Sequence, residues 1–558
     1  MKKTIILLIY CMLILSLGAC EFDQGVKGDN NELKASEERA NLTEHYNLSE
    51  DLYLTVINGV VNEDRSVKAD GMIYIPYAVV KSLDTRFYYN KTEEQMIITT
   101  PSKLLYYYPN NTRHLEAGVS TEDQVPMLRI IDGRLYVSAD LFLKYSDVST
   151  RIMEDPSRVV LFANGVKYPS YETTKETALR IGASVQKAIV DDLKTGETVI
   201  KIGNAENGFM PVSTLDGHTG FVIEKDLGTK SETMVHASLK QYPGSSTLQH
   251  VHMMWHQMWA KQGGDELRAA LANTKGINVI APTWFDFKDT SGAITSFANA
   301  SYVDEAHKRG IQVWALCSDF ASDVKGYDVL SNTESRIALE NNLVNEVVRV
   351  GADGINLDFE FITKDSGPHY IQFIRELYLL CHENGLVLSV DNFVPNAGKS
   401  QYQLSDQADV VDYVIFMAYD EHYKGSGAGS VASYPWVEAS VNNALKIVPA
   451  EKIVLGIPLF TREWKTDSEG KLTLESGGMD TIRERAVKGG AKLVWDDELK
   501  QYYGEYTTKK NERYQYWIED VTSLEYKVKL IPANHLAGYA GWKLGLESSD
   551  VWSLLEQY

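Results

Sequence analysis

From Gln249 onward the chain alternates short apolar runs with helix-period patterns, and this rhythm constrains the fold more than any other feature. Apolar runs at 251–256, 277–283, 312–316, 354–360, 387–392, 413–417, 452–458 and 535–541 predict eight strands. Helix patterns between most of them, at 265–274, 303–309, 333–350, 369–383 and 436–448, predict helices, two of which stop on Gly310 and Gly385. Eight apolar strands alternating with helices predict an α/β fold, a parallel (β/α)8 barrel spanning 245–558. The stretch 477–533 is longer than one helix requires and predicts an inserted subdomain.

The fourth run reads Asp353-Gly354-Ile355-Asn356-Leu357-Asp358-Phe359-Glu360. Side chains alternate along a strand, so Asn356, Asp358 and Glu360 share one face while Ile355, Leu357 and Phe359 share the other. The apolar row belongs against the outer helices, so the polar row points into the barrel. Polar groups there are costly unless they are hydrogen-bonded. Glu360 falls at the C-terminal end, where barrel enzymes do their chemistry. Carboxyls so close raise one another's pKa, which suits a general acid near neutral pH.

This run resembles the DxxDxDxE signature of glycoside hydrolase family 18, the chitinases and endo-β-N-acetylglucosaminidases; Asp353, Asp358 and Glu360 match and Asn356 stands where many members have Asp. Met417-Ala418-Tyr419-Asp420 matches the family's MxYD, Trp542 the Trp that floors the sugar subsite, and Arg462 a position that often contacts substrate. The SxGG signature of strand three is absent, replaced by Ala315-Leu316-Cys317-Ser318. The resemblance implies a substrate-assisted, retaining mechanism in which the sugar's own acetamido oxygen attacks the anomeric carbon. Glu360 would be acid and base, Asp358 would hold the acetamido N–H, and Tyr419 would bond its carbonyl. Asp353, Asn356, Met417, Asp420, Arg462, Trp542 and Trp284 are assigned to substrate binding. Trp255, Trp284 and Trp314 stand at or near strand ends, where a ring either stacks on sugar or packs in the core. His256 and His422 read as structural or substrate-contacting. No cofactor or metal site is expected, and Gly425–Gly429 does not sit in a phosphate-binding frame. The rival class is a catalytically dead carbohydrate-binding relative or a wall scaffold; loss of Glu360 or Asp358 would mark the lectin, and both are present.

Upstream, 51–168 holds two similar passages, Asp70-Gly71-Met72-Ile73-Tyr74-Ile75-Pro76 and Asp132-Gly133-Arg134-Leu135-Tyr136-Val137-Ser138. Each is a turn and strand followed by a short helix (78–83, 139–145) and a later strand (95–99, 158–162). The repeat resembles the α+β stalk module of copper amine oxidases, without copper ligands. Between 175 and 230, short strands with Gly217, Gly220 and Phe221-Val222-Ile223 resemble a bacterial SH3-like barrel, a module that often holds enzymes to wall peptides.

At the N-terminus Lys2 and Lys3 precede an apolar run, Thr4 to Leu17, and then Gly18, Ala19 and Cys20. This reads as a signal peptide at 1–19, too short for a membrane span. Leu17-Gly18-Ala19-Cys20 resembles a lipobox with Cys20 lipidated, followed by a polar tether at 20–50. The expected location is therefore the outer face of the bacterial cytoplasmic membrane, in contact with the cell wall. The expected partner is an N-acetylglucosamine-containing polysaccharide. The net charge of −21 argues against nucleic acid. Cys317 and Cys381 fall on a strand and a helix of the barrel and are expected in its core, unpaired.

Overall fold

The computed structural model describes residues 34–235, 242–320, 323–395 and 399–558. The expected barrel is present. Its strands are β1 (Val251–His256), β2 (Val279–Phe287), β3 (Gln312–Ser318), β4 (Gly354–Asp358), β5 (Val387–Phe393), β6 (Tyr413–Met417), β7 (Ile453–Pro458) and β8 (Gly538–Trp542). Each pairs in parallel with its neighbours, and β8 closes onto β1 through Val251↔Gly538. The helices between them include α1 (Gly264–Ala270), α2 (Ala300–His307), α3 (Thr333–Val350), α4 (Gly367–Glu383), α5 (Leu404–Val410), α6 (Tyr434–Ala444), α7 (Val521–Val528) and α8 (Val551–Leu555).

Strand alternation sorts the core into two layers. Val251, Met253, Trp255, Trp314, Leu316, Ile415, Met417 and Val454 fill the interior. Ile355, Leu357 and Phe359 join Val313, Ala315, Leu388 and Val390 in packing against the helices, which leaves Asn356 and Asp358 facing inward. Gly354 is required by close approach, since a Cβ there would stand 2.6 Å from the Val387 carbonyl oxygen. Cys317 and Cys381 are buried and unpaired.

The insertion begins earlier than the sequence pattern suggests. A five-stranded sheet, Phe460–Thr466, Leu472–Gly478, Val494–Asp496, Gln501–Thr507 and Arg513–Ile518, starts directly after β7, with the helix Met479–Gly489 against it. Its strands are short and aromatic-rich with one solvated face, so their start does not show as a break in apolar runs.

Asn47–Lys167 and the barrel form one compact unit. In the former, the two repeats pair strand to strand, Tyr136↔Pro76 and Ser138↔Tyr74. A second sheet runs from Phe87 to Glu122 and docks on α3 and α4. Gln372 donates to Thr99 Oγ1 (2.9 Å), Arg375 to the Thr85 carbonyl (2.9 Å), and Thr333 N–H to Glu93 (2.8 Å). A separate unit comprises residues 34–46 together with Tyr168–Thr233, a seven-stranded sheet around Leu179, Val199, Val212 and Val222. Residues within the expected tether bond to this sheet instead of standing in solvent: Ala40 N–H donates to the Ile189 carbonyl and Ile189 N–H to that of Glu38. Cys20 and the expected signal peptide lie outside the described residues.

Candidate active site

The site is built from the inward row of β4 upward. Asn356 is wholly buried and donates through Nδ2 to Ser389 Oγ (3.0 Å) and Asp391 Oδ1 (2.9 Å), both on β5. Trp255, from β1, donates its indole N–H to Asn356 Oδ1 (3.2 Å) and Asp391 Oδ2 (3.1 Å). One residue pair higher stands Asp358, 5% exposed, whose Oδ1 has no hydrogen-bond partner. Burial drives its pKa well above the carboxylate range, and Asp391, Glu360 and Asp319 push it further.

Glu360 lies just past the strand end, half-buried. Burial, then the charges of Asp319 and Asp420, raise its pKa to about 7, with Lys399 opposing. Its backbone is fixed by Asp319, at the end of β3, whose carboxylate accepts the N–H groups of Glu360 (2.8 Å) and Phe361 (3.0 Å). Burial raises Asp319 itself to about 6, against those bonds. A carboxyl that keeps its proton to neutrality at the open mouth of a barrel is equipped to protonate a leaving group.

The floor is aromatic. Trp255 meets Trp542 edge-on at 5.8 Å and Tyr419 at 6.4 Å, and Met417 packs in the same cluster. Burial raises the Tyr419 phenol well above its usual pKa, and Asp358, Asp391, Asp420 and Glu360 all lie close enough to add to it. Asp420 is held by Arg462 (2.6 Å), whose guanidinium lies over the Phe460 ring at 5.3 Å. Thus Asn356, Asp358, Glu360, Met417, Tyr419, Asp420, Arg462 and Trp542 gather at the C-terminal mouth.

Two expected substrate contacts do not. Asp353 is at the N-terminal end of β4, roughly 20 Å from the mouth at about 3.3 Å per residue. There its Oδ2 accepts from Val313 N–H (2.7 Å) and pairs with His307 Nε2 (2.8 Å), tying β3 to β4. Trp284 is 1% exposed and faces the helices, its N–H on Met258 Sδ and its ring against Tyr302. Trp255 and Trp314 are also buried. His256 bonds the Tyr302 hydroxyl (2.8 Å) and His422 the Ser430 carbonyl (3.1 Å), both structural. The exposed rings are others: Trp259 (80% exposed), Phe361 (64%), Tyr423 and Phe320, the last two phenylalanines edge-on at 5.8 Å. Phe320, Phe361, Asp319 and Tyr327 line a cavity of about 670 Å3. Among the described residues no cluster of His, Cys, Asp or Glu is suited to a metal.

The fold is a (β/α)8 barrel, and its C-terminal mouth gathers carboxyl groups able to hold and pass protons. Residues 285–547 match the model of the glycosyl hydrolases family 18. The chain is 29% identical over 242 residues to the cortical fragment-lytic enzyme of Bacillus subtilis, covering 42% of this chain and 56% of that protein. It thus spans little more than half of that relative's length. It is 24% identical over 293 residues to the uncharacterized glycosylase YvbX of the same organism, covering 50% of this chain and 84% of the relative. The crystal structure of the Bacillus cereus spore cortex-lytic enzyme SleL superposes with a TM-score of 0.51 at 18% identity, over 60% of this chain and 78% of that one, and so shares the fold.

Proposed function

We propose that this protein is an exported glycosidase that cleaves β-1,4 linkages next to N-acetylglucosamine in cell-wall peptidoglycan. The observation that carries the reading is Glu360, a carboxyl raised to about 7 at the mouth of a family 18 barrel, above the buried Asp358. Glu360 donates its proton to the glycosidic oxygen and then, as a carboxylate, takes one from water. The acetamido oxygen of the sugar attacks the anomeric carbon, Asp358 accepts its N–H and stabilises the cyclised cation, and Tyr419 donates to the carbonyl oxygen. Trp542 floors the sugar, and Asp420 and Arg462 contact its hydroxyls. A wall substrate is favoured over free chitin by the relative named for cortical fragments. The sequence resemblance of 51–168 to a stalk and of 175–230 to an SH3-like wall-binding module points the same way, with Cys20 as lipid anchor.

Digestion of purified peptidoglycan and of chitin oligosaccharides, with new reducing ends identified by mass spectrometry, tests the reading. Glu360→Gln should lower turnover by about 10²–10⁴-fold; wild-type activity in that variant would sink the assignment. A substrate lacking the acetamido group should scarcely be cleaved, and a fluorosugar should leave no covalent adduct on the protein. A trapped glycosyl-enzyme would replace the substrate-assisted route with a carboxylate nucleophile. For the anchor, a fatty-acid analogue should label the wild type and not Cys20→Ala; equal labelling rejects it.

A further inference from the structure

β5 carries a carboxyl that the reaction described above does not use. Ser389 and Asp391 share the inward face of β5, and the register Asn356↔Ser389, Leu357↔Val390 sets Asp391 beside Asp358 on the adjacent strand. Neighbouring parallel strands lie about 4.8 Å apart, so the two carboxyls are near neighbours in the barrel interior. Both are buried, and no lysine or arginine among the described residues bonds either of them. Two adjacent buried carboxylates without a cation are too costly to coexist, so the pair carries a proton. Its resting place follows from the hydrogen bonds. Both oxygens of Asp391 accept N–H groups, from Asn356 and Trp255, which favours the anion there. Asp358 Oδ1 has no donor, which favours the neutral acid there.

We propose that Asp391 is the proton partner of Asp358: the pair holds one proton, which rests on Asp358 and crosses to Asp391 when cationic charge develops above Asp358. The step is a transfer from one Asp358 oxygen to one Asp391 oxygen, and net charge within the pair is unchanged. It turns Asp358 into an anion only when the cyclised sugar cation is there to be stabilised, so the benefit falls on the transition state. Asn356 and Trp255 hold Asp391 in place, and Asp391 is a positioning residue. Other titratable groups around the pair are Glu360 and Asp319 at the strand ends, Tyr419 after β6, Cys317 on β3, Tyr370 on α4 and Tyr402 before α5. The proton's use in catalysis rests on the proposed glycosidase reading; its sharing does not.

The amide of Asn356 and the carboxylate of Asp391 face each other, so exchanging them keeps shape and bonding. Asp391→Asn should lower kcat by about 10²-fold with little change in KM and should alter the pH–rate profile. The exchanged double variant, Asn356→Asp with Asp391→Asn, should recover most of the rate and the wild-type profile. A merely structural Asp391 would give a variant with lowered thermal stability and an unmoved profile. Wild-type kcat and profile in Asp391→Asn, or a folded double variant without recovery, would overturn the role. Carbon-13 NMR of aspartate-labelled protein reads the pair without substrate. Expected is one aspartate carboxyl still protonated at neutral pH, absent in Asp358→Asn and titrating lower in Asp391→Asn. Independent titration of both groups in the ordinary range would reject proton sharing. If wild type cleaves no glycan yet shows the shared proton, the functional reading fails and the pair stands.

Discussion

As the proposed acid, Glu360 has to be protonated when substrate arrives, and its pKa is raised to about 7 by burial and then by Asp319 and Asp420. The acid form is therefore present below about 7 and lost above it. The expected consequence is a fall in kcat/KM on the alkaline side with an apparent pKa near 7. Asp319→Asn removes a nearby negative charge, so that limb should move to lower pH; a limb that stays put or moves up would show that Asp319 does not set it. Much of this was legible in sequence, because polar residues at alternate positions of an apolar strand have one explanation. The same alternation was present in Ser389 and Asp391, yet a lone pair inside an apolar run carries less weight than a row of three, and Asp319 stood at the end of its apolar run with no such partner pattern. Trp284 misled because aromatic identity at a strand end does not reveal which face the ring takes. On β2 Val279 and Ala281 face the interior, so alternation places Trp284 with Ile280 on the side that packs against the helices.

At the scale of elements, α3 and α4 are joined by a salt bridge with no exposure on either side, Arg336 to Glu376. Arg336 also donates to the Leu330 carbonyl (2.9 Å), and Glu340 lies buried beside the pair, its pKa raised by burial and by Glu376. Removing the cation strands two buried acids. Arg336→Ala should cost about 3–5 kcal/mol in denaturant unfolding, whereas Arg336→Met with Glu376→Leu should recover most of it. An alanine variant as stable as wild type would show that the acids are already neutral without Arg336. Strand and helix positions here were readable because apolar period and glycine stops agree with the fold. The ion pair was not, since Arg336 and Glu376 are ordinary helix residues until two helices meet.

For the larger unit, the question is whether Asn47–Lys167 and the barrel behave as one body. α4 supplies a clue visible in sequence: Tyr370, Ile371, Phe373, Ile374, Leu377 and Tyr378 leave it with no wholly polar face, as a helix covered on both sides must be. One side faces the barrel strands. The other meets the N-terminal module, where Gln372 bonds both Thr99 and Glu376, Arg375 bonds Thr85 and Asp406, and Tyr88 lies 5.6 Å from the Arg336 guanidinium. Opening this contact would expose the apolar side of α4 and unpair Gln372 and Arg375, costs that disfavour a detached state. Module and barrel should therefore unfold together. In amide exchange, the strand Gln95–Thr99 should share the protection of α3 and α4. Gln372→Ala should lower the melting of module and barrel by the same amount. A module that exchanges or melts well before glycan-cleaving activity is lost would mean that the contact is an encounter between independent domains rather than part of one core.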